Sequence, residues 1–196
     1  GGVAIFMNGA QGGMITADVR REGGGEANTW EECVRIGNLL AEEALRIVAE
    51  AQPQQDPALF CASRTITFPI ESEIMRYILQ HSPIEMTSVK GDSIQTRINY
   101  LELGTGKVLT IPGEALPNIG YYLKRKMDTD HGFLFGLTND AFGYILTKVD
   151  FNSFKRYDYV SRTSLGELTG EIYITEVLGW LPVLSTRTHS KSIITK

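Results

Sequence analysis

Residues 108–145, VLTIPGEALPNIGYYLKRKMDTDHGFLFGLTNDAFGYI, constrain the fold more than any other stretch of the chain. They hold two short apolar runs, 108–111 and 133–137, each bounded by Gly or Pro and each too brief for a helix. Such runs read as buried strands. Between them, Ile119, Tyr122 and Leu123 recur at helical spacing, and the segment closes on Lys124, Arg125 and Lys126, cations that suit a helix C-terminus. The unit is strand, turn, helix, strand. Polar groups follow each strand: Glu114 after the first, Asn139 and Asp140 after the second. In sheets with crossover helices, ligands gather beyond the carboxyl ends of the strands. If the two strands are parallel neighbours, Glu114 and residues 139–144 share one rim, and chemistry is expected there.

The remaining segments alternate between strand and helix. Residues 3–7 read as a buried strand, so the chain opens inside an element, as a processed or longer protein would. The strand runs into a turn over 8–18 that contains Gly9, Gly12 and Gly13 and permits close backbone approach. A flexible loop follows instead of a helix N-terminus, so this is a tight turn and not a phosphate cradle. Thr29 and Glu32 form a capping box that opens a helix to about Ala51. Its apolar stripe of Trp30, Cys33, Ile36, Leu40, Ala44 and Ile47 is expected to face a core. Residues 60–68 alternate as a half-exposed strand, and 72–80 suit a short helix. Residues 93–103 alternate again and turn back through Gly104 into 108–111 as a hairpin. Residues 150–157 form a loop or single turn, 164–181 a final helix, and 182–196 a flexible tail. The class is α/β, with α+β as the alternative: one domain built on a mixed sheet with covering helices.

Composition limits the function. With 196 residues and 42% hydrophobic content, the chain can bury a core. A net charge of −4 opposes nonspecific nucleic-acid binding. No apolar run approaches the roughly 20 residues that span a bilayer. Cys33 and Cys61 are too few for a disulfide scaffold.

Taken one at a time, the candidate residues stay ambiguous. Glu114, behind Pro112 and Gly113, can ligate a metal, act as a base, or simply favour the positive end of the next helix. Tyr144 lies among apolar neighbours, where a phenol commonly just satisfies its own hydroxyl. His81, His131 and His189 have no ligand spacing between them. Ser161 and Ser164 sit near no histidine that would make a triad. Asn139 and Asp140 suit a turn.

Taken in order, the motifs say more. Asn8-Gly-Ala-Gln-Gly-Gly13, Pro112-Gly-Glu114 and Gly136-Leu-Thr-Asn-Asp-Ala-Phe-Gly-Tyr144, extended by Arg156-Tyr157-Asp158 and residues 161–170, resemble the neutral/alkaline, non-lysosomal ceramidase family. The match covers most of the chain, with 1–181 corresponding to the C-terminal portion of that family's hydrolase domain. The resemblance implies a zinc amidase that cleaves the N-acyl bond of a lipid amide, with a secreted or periplasmic setting. It implies Glu114 and Tyr144 as metal ligands and Tyr157 near the scissile carbonyl. The two histidine ligands would belong to an upstream half of the same domain, before Gly1. The family's serine position falls on Ile15, with Thr16 one place away as the remaining hydroxyl. A route in which zinc activates water and Tyr157 donates to the oxyanion is therefore simpler than a hydroxyl nucleophile. The alternative is a non-catalytic binding or structural module that keeps the fold.

Overall fold

The computed structural model describes residues 3–14, 17, 27–83, 88–153 and 155–191. The chain divides into two compact units, one of residues Ile15–Pro57 and one of Gly1–Met14 with Ala58–Lys196.

The smaller unit carries helix α1, Trp30–Glu50. Thr29 caps it as its sequence requires, with Oγ1 accepting from the Glu32 amide at 3.2 Å. Arg35 grips the Glu32 carboxylate through two bonds of 2.8 Å. The expectation of a core-facing stripe is not met. Trp30 is 74% exposed, and Ile36, Leu40, Ile47 and Cys33 are exposed as well. Helical period reports which side of a helix is apolar, and leaves open what covers that side. Here Val34, Leu39, Leu45 and Val48 are also exposed, so apolar groups continue around the cylinder.

The larger unit is built on a mixed sheet. Strand β1, Leu59–Pro69, pairs antiparallel with β3, Ser93–Leu103, in register from Leu59↔Leu103 to Pro69↔Ser93. The two-residue strand β2, Val89–Lys90, also pairs with β3. A turn through Gly104 returns the chain as β4, Gly106–Thr110, antiparallel to β3. The crossover helix α3, Pro117–Lys126, then sets β6, Gly132–Phe135, parallel to β4. The order is β1-β3-β4-β6. The anticipated parallel pair is present, although β6 stops at Phe135 because Leu137 and Asn139 take left-handed backbone angles.

Alternation along β3 decides which face is covered. Ile94, Thr96, Ile98, Tyr100 and Glu102 point inward, while their neighbours stay partly or fully open to solvent. Helix α5, Thr169–Lys191, packs on this buried face through Tyr173 and Val177, together with Leu123 of α3. The Tyr173 hydroxyl donates to the Thr110 carbonyl at 2.8 Å and so ties α5 to the end of β4. Short helix α2, Glu73–Gln80, starts at Ser72, whose Oγ accepts from the Met75 amide.

Three expectations need correction. Residues 3–7 form no strand, and Val3, Ile5 and Phe6 are 92%, 81% and 75% exposed. A strand needs a neighbouring edge for its amides and carbonyls, and among the described residues no strand pairs with this segment, while the adjoining Asn8 O accepts from the Gly136 amide at 2.9 Å. The last helix begins at Thr169 and not at 164, because Ser164 bridges to Tyr144 and Leu165 O accepts from the Glu71 and Ser72 amides. It also runs through Pro182 to Lys191. A mid-helix proline removes one amide, and burial of Leu181 and Leu184 on either side of it holds the helix in place. Short helix α4, Tyr159–Arg162, was not anticipated. Cys33 and Cys61 are both free thiols. Among the described residues, no helix is long and apolar enough to cross a membrane.

Candidate functional site

Just past the carboxyl ends of β4 and β6, two loops bind each other through their backbones. The Phe142 amide donates to Pro112 O at 3.0 Å, the Leu137 amide to Gly113 O at 3.2 Å, and the Glu114 amide to Gly143 O at 2.8 Å. From this lacing emerge two-residue strands β5, Glu114–Ala115, and β7, Tyr144–Ile145, paired in parallel with Glu114 directly opposite Tyr144. Gly143 makes the approach possible. Its φ is +76°, and a Cβ there would stand 1.9 Å from Thr163 O. That close contact lets the Tyr144 amide donate to the same carbonyl at 3.2 Å.

The Gly-rich loop closes on the same place. The Gly12 amide donates to Ala115 O at 2.8 Å, and a Cβ on Gly12 would lie 2.6 Å from Glu114 O. The loop therefore supports the backbone of the Glu114 strand, the close approach its glycines suggested. Thr16 and Ile15, the two positions singled out beyond it, lie outside the described residues.

Glu114 is partly buried, and its Oε2 is a buried atom without a hydrogen-bond partner. Burial holds this carboxyl above its ordinary pKa. The Tyr144 phenol is pushed up to about 12, first by burial, then by its hydrogen bond with Tyr159 and by the Glu114 charge. The rings of Tyr144 and Tyr159 meet edge to face at 5.9 Å. Tyr157 lies 6.5 Å beyond Tyr159, half exposed, with the Arg156 guanidinium 5.5 Å over its ring. The structure therefore brings Glu114 and Tyr144 together and connects Tyr157 to them through Tyr159. Sequence reasoning passed over Tyr159. The available signal was its position two residues after Tyr157, at the start of a turn of helix.

The other candidates are used structurally. Asn139 Nδ2 donates to Arg97 O and to Asn99 Oδ1, both at 2.7 Å. Asp140 accepts from the buried Thr96 hydroxyl. These two residues fasten the loop to β3, as a turn pair would. Ser161 Oγ accepts from the Asn152 amide at 2.8 Å, and Ser164 Oγ donates to Gly166 O at 3.3 Å, both from buried positions. His131 is exposed and precedes β6, at the opposite end of the sheet from Glu114. Among the described residues, no three His, Cys, Asp or Glu side chains converge as a metal cluster. What the rim offers a cation is two oxygen donors, a carboxylate with one unpartnered atom and a phenol beside it. That donor set fits part of a zinc shell, which accepts carboxylate oxygen and wants at least three protein ligands.

The fold of the chain is found in solved ceramidases. The crystal structure of neutral ceramidase from Pseudomonas aeruginosa superposes with a TM-score of 0.61 at 14% identity, over 86% of this chain and 35% of that one. A ceramidase complexed with C2 gives 0.62 at 14% identity, over 84% of this chain and 36% of that one. The chain spans about a third of the length of each. No family model and no curated protein matches it.

Proposed function

We propose that this chain is part of a zinc-dependent, ceramidase-like amidohydrolase acting on an N-acyl lipid, and that Glu114 and Tyr144 are its share of the metal ligands. One observation carries the reading: a buried carboxylate oxygen with no partner, placed directly across a parallel strand pair from a phenol. An uncompensated buried carboxylate is costly in a fold, and it is retained where a cation is to be met. The remaining ligands come from outside the described residues. The ceramidase fold supports the substrate class.

Each residue has a task. Glu114 supplies negative charge, and Tyr144 supplies a phenol oxygen directly across the strand pair. Tyr159 orients the Tyr144 hydroxyl. Tyr157, half exposed at the end of the aromatic row, donates its hydroxyl proton in a hydrogen bond to the oxyanion of the amide carbon. When bound, zinc polarises a carbonyl and lowers the pKa of water to about 7. Ser161 and Ser164 are already engaged, and the resemblance leaves Thr16, beside the family's serine position, as the competing hydroxyl.

Zinc titration of the chain by calorimetry tests the ligands. Weak binding is expected, lost in Glu114→Gln and reduced in Tyr144→Phe. Tight stoichiometric binding that survives both changes refutes the assignment. In the longest natural form of the protein, release of fatty acid from an N-acyl sphingoid base is expected to stop with Glu114→Gln. Thr16→Ala is expected to leave it intact, and Ile15→Ser to add little. An acyl adduct trapped on Thr16 would overturn the water route.

A further inference from the structure

A cleft of about 400 Å³ opens between the Gly-rich loop and α3, within the size range of small-molecule sites. Ala10, Met14, Pro117, Tyr121 and Leu134 give it largely hydrocarbon walls, and among the described residues Lys124 is the one charged side chain that lines it. Lys124 is exposed, and no other described residue engages its ammonium in a hydrogen bond or ion pair. Of the nearby cations Arg125 is likewise exposed, while two are engaged. Lys126 sits 5.4 Å over the Tyr122 ring, and Lys107 donates to Met127 O at 3.0 Å. Complementing the negative end of α3 explains a cation anywhere in the last turn. It does not explain a free ammonium at the mouth of an apolar cleft.

We infer that this cleft binds a single-chain anionic amphiphile, a free fatty carboxylate, with its hydrocarbon against Met14, Pro117 and Leu134 and its carboxylate on Lys124. Charge complementarity selects the occupant. A neutral lipid leaves the ammonium unused, a cationic amphiphile is repelled by it, and a bare inorganic anion gains nothing from the apolar walls. The ligand class follows from the lining alone. Its link to function rests on the proposed hydrolysis, because the acyl group freed from an N-acyl lipid is such a carboxylate. The cleft also borders that site, since the loop forming one wall is bonded through Gly12 to Ala115, next to Glu114.

Calorimetry with laurate, below its micelle concentration and without added metal, tests the cleft independently of catalysis. Laurate is expected to bind, and decanoate to bind about tenfold more weakly for its two missing methylenes. Lys124→Gln is expected to weaken laurate by roughly three- to fivefold, as for an exposed ion pair, while Lys126→Gln leaves it unchanged. Dodecyl maltoside and dodecyltrimethylammonium are expected not to displace it. Tyr121→Ser, at an exposed wall position, is expected to reduce the dependence on chain length and serves if Lys124→Gln fails to fold. The inference is overturned by absence of laurate binding, by equal losses in Lys124→Gln and Lys126→Gln, or by equally tight dodecyl maltoside. Binding to phosphatidylglycerol vesicles without binding to laurate likewise overturns it, marking these cations as a membrane-facing patch.

Discussion

Two apolar runs in this chain look alike as text and end up in opposite conditions. Residues 108–111, Val-Leu-Thr-Ile, sit inside the sheet with Leu109 and Ile111 fully buried. Residues 3–7, Val-Ala-Ile-Phe-Met, are exposed and belong to no strand. The first run has β3 antiparallel on one side and β6 parallel on the other, while among the described residues no strand pairs with the second. β-propensity describes fitness for a half-buried pleated surface, and a neighbouring edge must supply that surface.

Truncation gives the largest contrast. Leu109→Ala is expected to cost about 2–5 kcal/mol in urea unfolding, as buried leucines do. Ile5→Ala is expected to stay within about 0.5 kcal/mol. Equal losses would break the comparison and put residues 3–7 in a core.

The next test moves to the rim, where the sheet's loops depend on close tertiary approach. Gly143→Ala introduces a side chain at positive φ against Thr163 O and is expected to cost about 1–3 kcal/mol. It should also weaken zinc binding, because Tyr144 is the next residue. A thermal melt unchanged from the parent would show that β7 does not need this contact.

A third change probes the clamp that β4 has and residues 3–7 lack. Tyr173→Phe removes the bond to Thr110 O and is expected to cost about 1 kcal/mol at neutral pH. Burial holds the Tyr173 phenol well above its ordinary value of 10.0. The native state therefore keeps a proton that the unfolded chain loses, and stability falls as pH rises above that value. The phenylalanine variant should flatten this alkaline decline, as measured by urea midpoints across the range.

The smallest effect is a gain. Glu114→Gln removes the unpartnered buried charge, so the metal-free chain should become slightly more stable while losing its zinc response. A loss of stability instead would mean that the carboxylate is already satisfied within the fold. In that case the rim would not resemble residues 3–7 as a place where bonding capacity is left open.

Much of the fold was legible from local pattern. Alternation in 93–103, the hairpin at Gly104, the Thr29 cap, the short helix near 72–80 and the cationic end of α3 depend on neighbours within a few residues, and each appears as expected. The rim was legible for a related reason: a parallel pair joined by a helix puts both strand ends on one side. Tyr159 was not legible, because its contact with Tyr144 is made across the loop that follows β7. The exposed stripe of α1 and the start of α5 at Thr169 also escaped, since each depends on contacts that sequence spacing does not encode.

The sequence alone determined where strands and helices can form, which faces are apolar, and that Glu114 and Tyr144 follow successive strand ends. Only the tertiary structure decided which apolar runs become strands, because a strand's hydrogen bonds are completed by another segment. It also decided that the Glu114 carboxylate lies buried and unpartnered opposite Tyr144. Burial and register are properties of the surroundings, and surroundings exist only once the chain has folded.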